Sequence, residues 1–181
     1  MGALHHLYEV TSKEGSLLSK SIKFRAEKQF PFILKLKNNN MLTTFIIKEK
    51  TTKRFILDIW DLSKKDGQEH IKEIVLPMKN GTRGIHTMFE RSNGEILIVV
   101  DDNYGSRILV VDVNKNNGNE LIEQFNLNCA GLYSSNFIED GRYLVTTTGT
   151  RINVVRFPLL NLENRNNNLL VEEIGFRKKL K

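Results

Sequence analysis

The spacing of the apolar runs constrains this chain most. They extend over four to eight residues, are rich in Ile, Val, Leu, Phe and Thr, and are each closed by a cluster of Asn, Gly, Asp or Lys. Runs of that length between turn-forming residues are strands, and no window keeps a helical period over ten or more residues. The three prolines, Pro31, Pro77 and Pro158, fall at strand edges or turns, where a missing N–H costs the ladder little. The pattern predicts about fourteen strands, at residues 4–10, 17–25, 30–37, 41–49, 54–62, 71–76, 85–90, 96–101, 107–113, 121–126, 132–138, 143–147, 151–157 and 169–174.

Stacked on one another, the strands form a unit of four. From Phe30 to Leu76 there is an apolar run, the turn Asn38 to Asn40, the strand Leu42 to Ile47, a Lys-Thr turn, the strand Phe55 to Leu62 and a closing strand. The same order recurs from Ile85, with the turn Ser92 to Gly94, and from Leu132, with the turn Glu139 to Gly141. The turns at Asn40, Gly94 and Gly141 are separated by steps of 54 and 47 residues. That period with four strands per unit is the mark of propeller blades. The expected fold is therefore all-β, a partial β-propeller of four-stranded antiparallel blades in a single repeat domain, 1–181. It would comprise a two-strand partial blade at 1–29, blades at 30–80, 81–128 and 129–176, and a basic tail at 177–181. A β-sandwich pair is the alternative, since short, evenly spaced strands fit it too.

The third strands carry a further signal. In the first whole unit that strand ends in Trp60-Asp61, and Val111-Asp112 holds the equivalent place in the next. On these residues, and through its periodicity over most of the chain, the sequence resembles the WD-repeat family of β-propellers, whose Trp-Asp pair ends the third strand of a blade. The third unit departs, with Val155-Arg156 there, and the opening Gly-His pair of such repeats is echoed only in Gly84-Ile85-His86. Trp60, Asp61 and Asp112, with the turn glycines Gly94 and Gly141, are the structural repeat motif. Closed propellers have about four to eight blades, so three and a half blades lead to the expectation that a second copy, another chain or a missing chain segment completes the ring. One uncovered blade face of roughly 500 Å² would forgo on the order of 12 kcal/mol of apolar burial.

Composition narrows the function classes. A protein of 181 residues, 40% of them hydrophobic, buries a substantial core. The longest apolar stretches, 96–100 and 108–111, are far short of the roughly 20 residues of a membrane helix. The first ten residues contain neither a basic leader nor a long apolar stretch, and Leu4-His5-His6 places no Ser or Thr where a myristoylation motif has one. Cys129 is the only cysteine, which excludes an intrachain disulfide or thiolate cluster. An intracellular, cytoplasmic or nuclear setting without membrane contact is expected. The net charge of +6 comes from basic residues spread along the sequence, clustered only at Arg177 to Lys181, which read as a solvated end.

No reactive constellation stands out. Asp101, Asp102 and Asp112 crowd one unit and Glu139-Asp140 the next turn, but Asp and Asn at hairpins bond their own backbone. His5 and His6 are adjacent, and His70 and His86 lie apart from Glu or Cys at ligand spacing, so surface or turn positions are expected. Neither a nucleophile elbow nor a phosphate-binding glycine loop is present. No catalytic, cofactor-binding or metal-binding residue is therefore assigned, no cofactor is expected, and the protein reads as a non-enzyme.

The first function class is a protein–protein interaction scaffold. Loops at 48–53, 64–69 and 101–106 vary in length and charge, as binding loops on a rigid frame do, and Lys48, Lys50, Lys53, Arg54, Asp102 and Tyr104 are the expected surface. A nucleic-acid-binding module is the second class, through Lys35, Lys37, Lys48, Lys50, Lys53 and Arg54. Only Phe45 and Phe55 lie nearby for base stacking, and their spacing suits a core. A propeller hydrolase with a channel-bound calcium is the third. It needs acidic or amide residues on several inner strands, where Glu90 and Asn136 make no ring.

Overall fold

The computed structural model describes residues 4–11, 15–23, 32–48, 53–65, 67–76, 82–102, 105–127, 132, 134–148, 151–156 and 170–175. Among them are fourteen strands and no helix, and so no helix long and apolar enough to cross a membrane. The protein divides into two compact units, Met1–Pro77 and Met78–Lys181.

The first unit holds β1 (Leu4–Thr11) and β2 (Gly15–Lys23), an antiparallel two-stranded sheet, and a four-stranded sheet of β3 (Phe32–Lys35), β4 (Asn40–Lys48), β5 (Lys53–Asp61) and β6 (His70–Leu76). The four strands pair in sequence order, each antiparallel to the last. On β5, Phe55, Leu57 and Ile59 alternate with Ile56, Asp58 and Trp60, and all six are buried, so this central strand is covered on both faces. Trp60 packs with Met41 and Phe45, and Leu62 lies against them. The indole Nε1–H donates to Thr43 Oγ1 at 2.8 Å, the partner a buried tryptophan needs.

The second unit holds two more four-stranded meanders. One comprises β7 (Thr82–Glu90), β8 (Glu95–Asp102), β9 (Gly105–Asp112) and β10 (Leu121–Leu127). The other comprises β11 (Ser134–Ile138), β12 (Tyr143–Thr148), β13 (Arg151–Arg156) and β14 (Leu170–Gly175). Strand alternation builds the core between them. Leu97 and Val99 on β8 stand opposite Val110 and Ile108 on β9, and with Phe125 and Leu127 they pack on Phe137, Leu144 and Val155. Phe89 and Phe137 meet with ring centroids 5.9 Å apart. The other face of β8, Ile96, Ile98 and Val100, is equally buried.

The strands overlap the runs that apolar spacing marks, though β2 begins at Gly15, not 17, and β3 ends at Lys35, not 37, because Leu36 opens the turn to Asn40. β7 begins at Thr82, not at residue 85, because Thr82 and Gly84 pair with Asp102 and Asp101 across register shifts. The segment Thr82-Arg83-Gly84 extends the ladder without an apolar side chain and so gives no apolar signal.

Candidate functional site

A fixed frame carries the turns. Leu36 N–H donates to Asn40 O at 2.8 Å and Asn39 N–H to Leu36 O at 3.0 Å; Arg91 to Glu95 O at 2.9 Å and Gly94 to Arg91 O at 3.1 Å repeat the geometry. Asn39 has φ 66° and Gly94 φ 86°, the left-handed region that Asn and Gly tolerate. The loops closing the third strands repeat atom for atom as well. Asp61 N–H donates to Glu69 O and Asp112 N–H to Glu120 O, both at 2.8 Å. The Asp61 carboxylate accepts from Ser63 N at 3.0 Å and that of Asp112 from Asn114 N at 3.0 Å. Residues 61–69 and 112–120 share the pattern D-x-x-K-x-x-G-x-E. The sequence therefore contains a nine-residue repeat that strand spacing treats as punctuation.

The opposite, hairpin ends of the sheets differ where the frame does not. Leu42 pairs with Ile59, Leu97 with Val110 and Leu144 with Val155, three register-equivalent pairs separated along the sequence by 17, 13 and 11 residues. Each difference is even, so the arms lengthen without exchanging the faces of the strands. Of the residues expected as a binding surface, the described ones fall on the hairpin ends of their own sheets, in separate units. Lys48 and Lys53 are directly opposed across the longest hairpin, next to exposed Arg54, which pairs with Ile47. Asp102 ends β8 opposite Gly105, while Lys50 and Tyr104 lie outside the described residues. Of the repeat motif, Asp61 and Asp112 anchor equivalent loops, Trp60 is core, and Gly94 and Gly141 sit in the turns at the other end. In the third sheet Arg156, not Val155, takes the register place of Trp60 and Val111, since Tyr143 pairs with Arg156 as Met41 does with Trp60 and Ile96 with Val111.

Two polar constellations were not legible in the sequence. In the first unit His70 Nε2 lies 2.9 Å from Asp58 Oδ1, the acid 6% exposed at its side chain and the imidazole 36%. The same ring meets Trp60 edge-on at 5.0 Å. The signal for it was an aspartate set in the apolar run Phe55 to Trp60, since a buried carboxylate requires a partner. In the second unit, at the β8–β9 hairpin end, Asp101 accepts from Ser106 Oγ at 3.2 Å and lies 3.8 Å from His86 Nε2. Beside it the buried Arg107 donates to Gln124 Oε1 at 3.0 Å and Thr82 Oγ1 at 3.4 Å. Ser106 faces a carboxylate instead of an imidazole, so no Ser-His relay is assembled there. Among the described residues, no three His, Cys, Asp or Glu side chains gather as metal ligands. Lys115, Asn116, Gly118, Asn119, Leu121 and Ile122 line an open depression of about 540 Å³ beside the β9–β10 loop.

No family model matches the sequence, and no curated protein matches it. Among solved structures it is similar to a functionally unknown protein from Desulfotomaculum acetoxidans, with a TM-score of 0.60 and 17% identity over 95% of this chain and 49% of that one. The chain thus spans about half the length of that protein. At this identity the likeness concerns fold alone: this is an all-β protein of antiparallel four-stranded sheets.

Proposed function

We propose that the protein is a run of β-propeller blades of the WD-repeat type and works as a non-catalytic scaffold that binds a protein partner at the hairpin ends of its sheets. One observation supports this most: register-equivalent pairs 17, 13 and 11 residues apart hold arms of different length on strands of one pattern. Binding surfaces vary in this way while their frames are kept. The longest arm also carries the exposed Arg54, a charge that suits an acidic partner face.

The test places a photo-reactive residue at the exposed Ile47, which pairs with Arg54, and, separately, at Lys115, and combines each with the charge reversal Arg54→Glu. Capture of one and the same protein from position 47, lost in the reversal variant and not obtained from Lys115, supports the scaffold. Equal capture from both positions, or capture indifferent to the reversal, removes it.

The opposed lysines also favour a second reading, binding of single-stranded nucleic acid. Its affinity would fall steeply as salt rises through counter-ion release. Absence of RNA binding at low ionic strength excludes that reading and leaves the first.

A further inference from the structure

The β9–β10 loop contains a bond arrangement that reacts without any enzyme. An asparagine followed by glycine can cyclise, because glycine has no side chain to hinder its backbone nitrogen from reaching the neighbouring amide carbon. The sequence has three such pairs, Asn80-Gly81, Asn93-Gly94 and Asn117-Gly118; the first lies outside the described residues, and the structure separates the other two. At Asn93-Gly94 both reacting groups are held. The Gly94 N–H donates to Arg91 O at 3.1 Å, and Asn93 Oδ1 accepts from Glu95 N at 3.1 Å. Asn117 and Gly118 are exposed, with φ 63° and 82°. Their turn is closed outside the pair, by Asn119 N and Nδ2, each 3.4 Å from Asn116 O. Neither the Asn117 amide nor the Gly118 nitrogen has a hydrogen-bond partner among the described residues, and the space beside the Gly118 Cα is open.

We infer that Asn117 is a site of spontaneous deamidation in the folded protein and that Asn93 is protected. The Gly118 backbone nitrogen attacks Asn117 Cγ. The new N–C bond closes a succinimide ring, the Cγ–Nδ2 bond of the amide breaks, and ammonia leaves with the proton of the backbone nitrogen. Water then opens the ring at either carbonyl, giving aspartate or isoaspartate, and nothing is oxidised or reduced. The aspartate product matches the sister loop, where Asp66 occupies the corresponding place of the repeat. It lowers the net charge by one from +6 and puts a carboxylate beside the depression lined by Lys115 and Asn119.

The test incubates the folded protein in warm, mildly alkaline buffer beside a sample unfolded in urea, and follows tryptic peptides 92–107 and 116–142 by fragment mass spectrometry. In urea both sites should convert at similar rates. In the folded state Asn117 should keep that pace while Asn93 slows by roughly tenfold or more, the factor expected from two turn hydrogen bonds that must open first. The variant Asn117→Gln should leave peptide 116–142 unconverted at that position, because its longer side chain closes the ring far more slowly. Equal rates at Asn93 and Asn117 in the folded protein, or an Asn117 that slows on folding as Asn93 does, would overturn the inference.

Discussion

Gly141 and Gly118 both sit in the left-handed region, at φ 75° and 82°, yet a methyl group would meet different surroundings at each. At Gly141 a Cβ would lie 2.6 Å from Leu97 Cδ1 and 3.3 Å from Arg91 Cγ, and Leu97 belongs to the core shared by the two sheets of the second unit. At Gly118 nothing stands within 4 Å. Gly118→Ala should therefore cost only the backbone conformation, about 1 kcal/mol. Gly141→Ala adds a displaced core leucine and should cost about 2–4 kcal/mol in all. Urea denaturation of the two variants checks this. Equal midpoints would mean that the turn bearing Gly141 swings away from the core at no cost, contrary to its contacts.

Between elements, the turns 91–95 and 139–142 hold the two sheets of the second unit to each other. Asp140 Oδ1 accepts from Ser92 N at 2.8 Å, and its other carboxylate oxygen from Ser92 Oγ. Arg91 reaches Gly141 O at 3.5 Å and its own neighbour Glu95 at 3.1 Å. A double-mutant cycle of Ser92→Ala and Asp140→Ala should return a coupling of about 1 kcal/mol. That is the modest value of a charge-assisted hydrogen bond open to water, and a coupling near zero would assign the Ser92 hydroxyl no role in joining the sheets. This scale also separates what the sequence made legible from what it concealed. β8 and β9 could be read directly, since Ile96 to Val100 and Ile108 to Val111 leave no alternative to buried strands. The turns could be read from Asn39, Gly94 and Gly141. The Asp58–His70 pair could not, because β5 meets β6 across a register shift between Ile59 and Trp60, so that which side chains meet depends on a bulge the sequence does not mark. The nine-residue loop repeat went unread because it is polar and offset by 51 residues. The turns beginning at Leu36 and Arg91 are offset by 55; the longer β4–β5 hairpin takes up the difference.

At the scale of the whole molecule, the described residues form three four-stranded sheets and one two-stranded hairpin, and a propeller, as proposed, closes with about four to eight blades. Under the proposed reading a second copy of this chain, another chain or a further chain segment completes the ring. Large apolar side chains are available for the contact: Ile71 and Val75 on β6 are 45% and 48% exposed. Phe32 and Ile33 are 40% and 46% exposed on the edge strand β3. If ring completion is correct, light scattering across a concentration series should give a mass rising above the 20.9 kDa of one chain to at least that of two. Added sulfate should strengthen the association, because it reinforces apolar burial while screening charge contacts. Association that salt abolishes would move the interface from the apolar strands to the basic hairpin. A mass that stays at one protomer, with a cooperative melt, would mean that the sheets satisfy one another within a single molecule. Two-layer sandwich packing would then replace the open run of blades, and the scaffold would lose the reason for its incomplete ring.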